Sequence, residues 1–180
     1  MVTQPSTGGG GGDATTDAEA AERTAGQVPD PELPWLTIAD LGILRRVETA
    51  GRDAAVVYLS PTYSGCPAMA AIEADVSEAL SRAGWKQVSV RRELAPAWTT
   101  DWISEEGRQK LAAAGIAPPS GAAATAPPSG AGGSSPVSLV RCPRCGSGST
   151  QLVSRFSSTA CKALYHCRAC LEPFEHMKPL

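Results

Sequence analysis

Histidine is nearly missing from this chain. Only His166 and His176 occur among 180 residues, both near the C-terminus. A cysteine paired with a histidine base, as in thiol hydrolases, is therefore not available upstream of them. Long apolar runs are missing as well, and no segment is long enough to span a bilayer. The N-terminus has neither the basic region nor the apolar stretch of a secretion signal. These absences predict a cytoplasmic protein with reduced thiols and no membrane partner. A strong basic excess is also lacking: 16 Lys and Arg stand against 18 Asp and Glu, a net charge of −2. Nucleic-acid binders carry a heavier basic footprint, so nucleic acid is not an expected partner.

Glycine and proline are plentiful and clustered. Gly8 to Gly12 form a run of five, and the stretch from Ala117 to Ser138 repeats Pro-Pro-Ser-Gly within alanine, threonine and serine. Such segments hold too little apolar surface to offset the cost of ordering. The chain thus divides into a low-complexity tail over 1–27, an α+β domain over 28–116, a flexible linker over 117–138 and a small C-terminal unit over 139–180. The last unit is too short to support a core without help. Charge divides the same way. Residues 30–116 hold 9 basic and 12 acidic side chains, a balance of −3; residues 141–180 hold 6 and 2, a balance of +4.

That C-terminal unit carries the clearest motif. Cys142 and Cys145 form one Cys-x-x-Cys pair and Cys167 and Cys170 a second, with 21 residues, Gly146 to His166, between them. Two thiolates three positions apart grip a metal from one tight turn, and two such turns complete a tetrahedron around structural Zn²⁺. Pro143 stiffens the first turn and Gly146 lets the chain reverse behind it, whereas Leu171 follows the second. Two disulfides are the competing reading, and the lack of a secretion signal counts against them. A closed shell of four sulfurs leaves no position for a substrate, so the metal holds a zinc ribbon together. Cys161, between the pairs, has the wrong spacing for a ligand turn and is expected as a thiol buried in a strand.

The central domain reads as a small sheet with helices on one face. Ile43 to Glu48 and Ala54 to Leu59 fit a hairpin around Ala50-Gly51-Arg52. Met69, Ile72, Val76, Leu80 and Ala83 recur at helical spacing, with Gly84 behind them. Lys86 to Leu94 returns to alternation, and a short helix runs from about Ser104 to Gly115. Trp98 and Trp102 fit packing better than a docking role. Cys66 lies between the second strand and the long helix, followed by Pro67, which suits a first helical position. That places Cys66 at the N-cap, where backbone N–H groups favour the thiolate. A packing cysteine without a role is an equally good reading. Both histidines are expected at the surface.

Asp30-Pro-Glu-Leu-Pro34, Ile38-Ala-Asp-Leu-Gly-Ile-Leu44 and Pro61-Thr-Tyr-Ser-Gly-Cys-Pro67 resemble the small domain of iron–sulfur assembly accessory proteins. Joined to Trp98-Thr-Thr-Asp-Trp-Ile103, Gly115-Ile-Ala-Pro-Pro119, Phe156-Ser-Ser-Thr-Ala-Cys-Lys-Ala163 and Glu172-Pro-Phe174, they resemble a narrower family. That family is the D component, also called the J component, of the ring-1,2-phenylacetyl-CoA epoxidase, the phenylacetate-CoA oxygenase system. The resemblance departs at Ser157, where the family has glycine, and in the lack of a full amphipathic helix before Asp30, for which Ala18 to Gln27 is a short substitute. It implies an accessory role in aerobic phenylacetate breakdown, in maturation or metal insertion and not in turnover. The partners it implies are the other oxygenase subunits, which carry the di-iron centre and the reductase, together with iron–sulfur assembly proteins. This chain itself has no Glu-x-x-His helix pattern for a di-iron centre. The resemblance also makes Cys66, with Asp40 facing it, a transient contact for iron or an iron–sulfur cluster. A general iron–sulfur carrier is the second reading and a nucleic-acid-binding ribbon the third.

Overall fold

The computed structural model describes residues 14–63, 65–119 and 140–179. Residues 1–13 of the expected tail and 120–138 of the expected linker lie outside them. The first unit is built on three strands: β1 (Leu44–Ala50), β2 (Ala54–Leu59) and β3 (Gln87–Arg92). β1 and β2 form the expected antiparallel hairpin, from Leu44 opposite Leu59 to Ala50 opposite Ala54. β3 then pairs parallel to β2, from Ala54 opposite Gln87 to Leu59 opposite Arg92. A parallel neighbour requires a crossover. Helix α2 (Met69–Arg82) supplies it.

Alternation decides which face is covered. Ala55, Val57 and Leu59 of β2 are buried, and so are Met69, Ile72, Val76 and Leu80 of α2. Strand period two and helix period 3.6 thus bring two apolar stripes together. A helix within the expected tail joins them. α1 (Ala14–Gly26) places Ala21 and Ala25, both fully buried, against the same core. Their small side chains let the helix approach closely but weaken the apolar period that would announce it. Trp98 is also core: its indole N–H donates to the Leu41 carbonyl at 2.9 Å. Trp102 is partly buried beneath the guanidinium of Arg45.

After a 3₁₀ turn (Thr100–Trp102), α3 (Glu105–Ala113) begins at a Ser104 cap whose hydroxyl accepts the Gly107 N–H at 2.9 Å. Gly107 lies so close to the chain at Asp40 that a Cβ there would stand 2.6 Å from the Asp40 carbonyl oxygen. The short strand β4 (Ile116–Ala117) follows. It pairs with neither β1 nor β3. Instead it joins the second sheet, made of β5 (Thr150–Ser154), β6 (Lys162–Cys167) and β7 (Pro173–Met177), in the order β4-β7-β6-β5. Ile116 lies opposite Glu175 and Ala117 opposite His176, in parallel.

The two units are therefore joined by more than the chain between them. Met177 of β7 is buried within the core of the first unit. Lys162 of β6 is 4% exposed, and its ammonium reaches Glu175 at 2.7 Å. The Ser157 and Ser158 hydroxyls also donate to Glu175. Burial opposes the charge of Glu175, but Lys162 and the two serines outweigh it and draw the carboxyl down to about 2. Ser157, where the resemblance led us to expect glycine, thus has a hydrogen-bonding task.

Unfolding should be one event. All four tryptophans lie in the first unit, so their fluorescence reports that unit, and zinc release reports the ribbon. The two transitions should coincide in urea. Met177→Ala, which empties a core site from the ribbon side, should cost about 3 kcal/mol and shift both. Separate midpoints, or a shift of zinc release alone, would show that the units fold independently.

Candidate metal and thiol sites

The zinc knuckles are two turns of similar design. In the first, the Gly146 N–H donates to the Cys142 carbonyl at 2.8 Å; in the second, the Leu171 N–H donates to the Cys167 carbonyl at 3.0 Å. Both end in a left-handed residue, Gly146 at φ +73° and Leu171 at φ +63°. Leucine in that region costs roughly 1–2 kcal/mol of backbone energy. The second turn is thus the same turn with a less suitable residue.

These turns bring the sulfurs of Cys142, Cys145, Cys167 and Cys170 within 4.8 Å of one another. Cys142 and Cys170 are 3.7 Å apart, and Cys145 and Cys167 3.6 Å. A disulfide requires about 2.05 Å. Four Zn–S bonds of about 2.3 Å in a tetrahedron place sulfurs about 3.8 Å apart. The donor set fits a tetrahedral thiophilic metal and not two disulfides. The Cys167 thiol is drawn down to about 7, first by the Cys170 backbone N–H. Phe174 and Val140 are buried beside Cys142 and Cys167.

The second group surrounds Cys66. Asp30 holds its own loop in place: its carboxylate accepts the N–H groups of Glu32 and Leu33 at 2.9 and 2.8 Å. The loop after β2 is anchored by Ser60, whose hydroxyl donates to the Glu93 carbonyl at 3.0 Å. The Cys66 N–H then donates to the Tyr63 carbonyl at 3.2 Å. α2 begins later than expected. Its N-cap is Ala68, so Cys66 lies two residues before the cap and Pro67 is outside the helix.

Around Cys66 the balance of effects runs against the expected thiolate. Burial pushes this half-buried thiol up, and the charges of Glu32 and Asp30 push the same way. The Ala68 N–H and the Thr62 hydroxyl favour the thiolate but do not prevail. Glu32 is also raised, by burial and by Asp30, with Lys162 of the ribbon opposing. The Tyr63 hydroxyl is raised by burial and then by the charges of Cys66, Glu32 and Cys161. Cys161, just before β6, is a partly buried thiol raised by burial, with Thr159 opposing that effect and Glu32 adding to it. Ribbon docking thus brings a second thiol into the electrostatic surroundings of Tyr63, and Lys162 into those of Glu32. The sequence separates Cys161 from Cys66 by nearly a hundred positions and carries no local signal of the meeting.

Asp40 does other work. Its carboxylate accepts the Thr37 N–H at 2.9 Å and the Lys110 ammonium at 2.8 Å, and its carbonyl accepts the Ser104 N–H. Burial opposes its charge, yet Lys110 and Thr37 hold the carboxyl below the usual range. Asp40 fastens α3 to the loop before β1, and none of these contacts is with Cys66. One histidine also differs from expectation. His176 is 3% exposed, and burial lowers its pKa to about 4. Alternation on β7 carries that signal, since His176 shares a face with Phe174.

An α+β unit of βαβ connection, carrying a thiol loop and joined to a four-cysteine ribbon, defines an iron–sulfur-assembly-type domain fused to a zinc ribbon. Two family models agree with this division: "Iron-sulfur cluster assembly protein" matches residues 19–91 and "PaaD zinc beta ribbon domain" matches residues 126–178. A crystal structure of a domain of unknown function, DUF59, from Bacillus anthracis aligns with a TM-score of 0.51 at 25% identity, over 54% of this chain and 93% of that one. The Escherichia coli (strain K12) protein named as the putative D component of 1,2-phenylacetyl-CoA epoxidase is 47% identical over 152 residues, 84% of this chain and 87% of its own length. The chain belongs to this D-component family of phenylacetyl-CoA epoxidase proteins.

The metal site can be tested by substitution. Protein made in zinc-containing medium should hold one zinc per chain. Cys142→Ser should lose most of it, because a structural site needs all its thiolates. A zinc content near zero in the parent, or an unchanged content in the variant, would count against the assignment.

Proposed function

We propose that this chain is an accessory subunit of a phenylacetyl-CoA epoxidase, acting in maturation of a metal centre and not in turnover. One observation carries the reading: a half-buried thiol, Cys66, is set among Glu32, Asp30 and Tyr63, with Cys161 added from the ribbon. Burial and neighbouring carboxylates keep that thiol protonated at neutral pH. A cation reverses the balance. It supplies the charge that the carboxylates lack and takes the place of the proton, so the site holds a proton when empty and a soft metal when loaded. Such exchange suits iron or a cluster in passage. The four-cysteine ribbon does a different task, holding structural Zn²⁺ and thereby keeping Cys161 in position. Its partners in this reading are the other epoxidase subunits and the proteins that build iron–sulfur centres. Reduced thiols throughout accord with work in the cytoplasm.

The match of the first unit to assembly proteins favours one second reading, a general carrier of iron–sulfur clusters. The two differ in what fails when Cys66 is changed. Cys66→Ser is nearly isosteric and should fold and keep its zinc. In a strain lacking this gene, the variant should leave growth on phenylacetate poor and lower the iron content of the purified oxygenase subunit several-fold. Unrelated iron–sulfur enzymes should keep their activity; if they also fail, the general carrier is correct. Full growth with full oxygenase iron would reduce Cys66 to a packing residue.

A further inference from the structure

The outer edge of the ribbon carries features that neither metal nor thiol explains. β5 ends the order β4-β7-β6-β5, so no described strand covers its far side. Natural edge strands are usually guarded by lysine, proline or inward charge. β5 reads Thr-Gln-Leu-Val-Ser and has none of these. Its guards are its length of five residues and a bulge between Leu152 and Ser154 where it pairs with β6. Leu152 is 43% exposed, Val153 59% and Phe156, just past the strand, 65%.

Beside this edge lies a groove of about 470 Å³. Leu152, Phe156, Tyr165 and His176 line it, with Arg155 and Lys178 also bordering it. His176 is neutral at physiological pH, and its Nε2 is buried without a hydrogen-bond partner among the described residues. Tyr165 meets the same ring edge-on at 5.5 Å.

The charges around the groove are also unmatched. Among the described residues the ribbon makes one ion pair, Lys162 with Glu175. Among those same residues, Arg141, Arg144, Arg155, Arg168 and Lys178 have no carboxylate partner. Lys178 instead stands 4.6 Å from the Phe156 ring centroid and donates to the Arg155 carbonyl. In the first unit most cations are paired: Arg46, Arg52, Lys86, Arg92 and Lys110 meet carboxylates, whereas Arg45 stacks on Trp102 and Arg108 donates to backbone carbonyls. Arg155 and Lys178, the two ribbon cations of this kind that border the apolar groove, are complementary to an acidic, apolar partner.

We infer that the β5 edge and its groove dock an extended acidic segment of another epoxidase subunit. The segment adds alongside β5 through main-chain hydrogen bonds. One large apolar side chain fills the groove against Phe156 and Tyr165, and Asp or Glu side chains meet Arg155 and Lys178. The inference rests on membership in the epoxidase family and deepens the partner reading above. It does not depend on Cys66.

The test uses full-length, zinc-loaded protein and the companion epoxidase subunits, co-expressed and purified. Association is measured at low and high salt. Phe156→Ser should weaken it about tenfold or more at both. Arg155→Glu should weaken it strongly at low salt and less at high salt, because exposed charges are screened. Zinc content serves as the folding control; if Phe156→Ser loses zinc, Leu152→Gln carries the same comparison. Cys66→Ser should bind as the parent does, so a failure of docking and a failure of maturation are read apart. Absence of association, or association that neither groove variant changes, would overturn the inference. A fluorescent single-stranded oligonucleotide is the control ligand. If the groove variants weaken its binding while subunit association is unaltered, the surface is a nucleic-acid site and the inference is wrong.

Discussion

Four sulfurs within 4.8 Å of one another need a shared cation, since thiolates at that distance repel and a ribbon of this size has little core of its own. The rest of the structure follows from that constraint. The metal closes two turns; the turns set the ends of β6 and β7; and β7 carries Met177 into the core of the first unit and offers Glu175 and His176 to β4. Cys161 and Lys162 take their places near Glu32 and Tyr63 by the same chain of contacts.

The thiol loop illustrates how local and long-range electrostatics compete. By its neighbours in sequence, Cys66 stands before a helix and receives N–H groups, which favours ionisation. In three dimensions, it is half-buried and shares its surroundings with Glu32 and Asp30, which oppose it. The second set prevails because desolvation acts on the full charge, whereas the helix end begins two residues beyond the cysteine. The outcome is a thiol whose pKa is raised and not lowered.

The parts of this fold that are legible in the sequence have local signals. The four zinc cysteines are two repeats of one spacing. β2 and α2 announce themselves by alternation and by the Met69-to-Leu80 stripe. α1 is mostly hidden because Ala21 and Ala25 pack by being small, which a pattern of large apolar residues does not register. The role of Asp40 is equally hidden because its partner Lys110 lies 70 residues away, and nothing between them marks the meeting. The approach of Cys161 to the thiol loop goes with Met177 in the first core and with a pairing of only two residues, Ile116 and Ala117, with β7. A strand of that length has no detectable period.

That short pairing alters what the covalent path between the halves means. Ile116 and Ala117 hydrogen-bond to β7, and Met177 fills a place among the side chains of the first unit, whatever route the backbone takes through 120–139. A nick in that interval would therefore yield a two-chain complex, not two free domains. Its integrity would become a bimolecular equilibrium, sensitive to dilution, where the intact chain enjoys an intramolecular one. The protein is better regarded as a heterodimer whose partners happen to be encoded in one polypeptide.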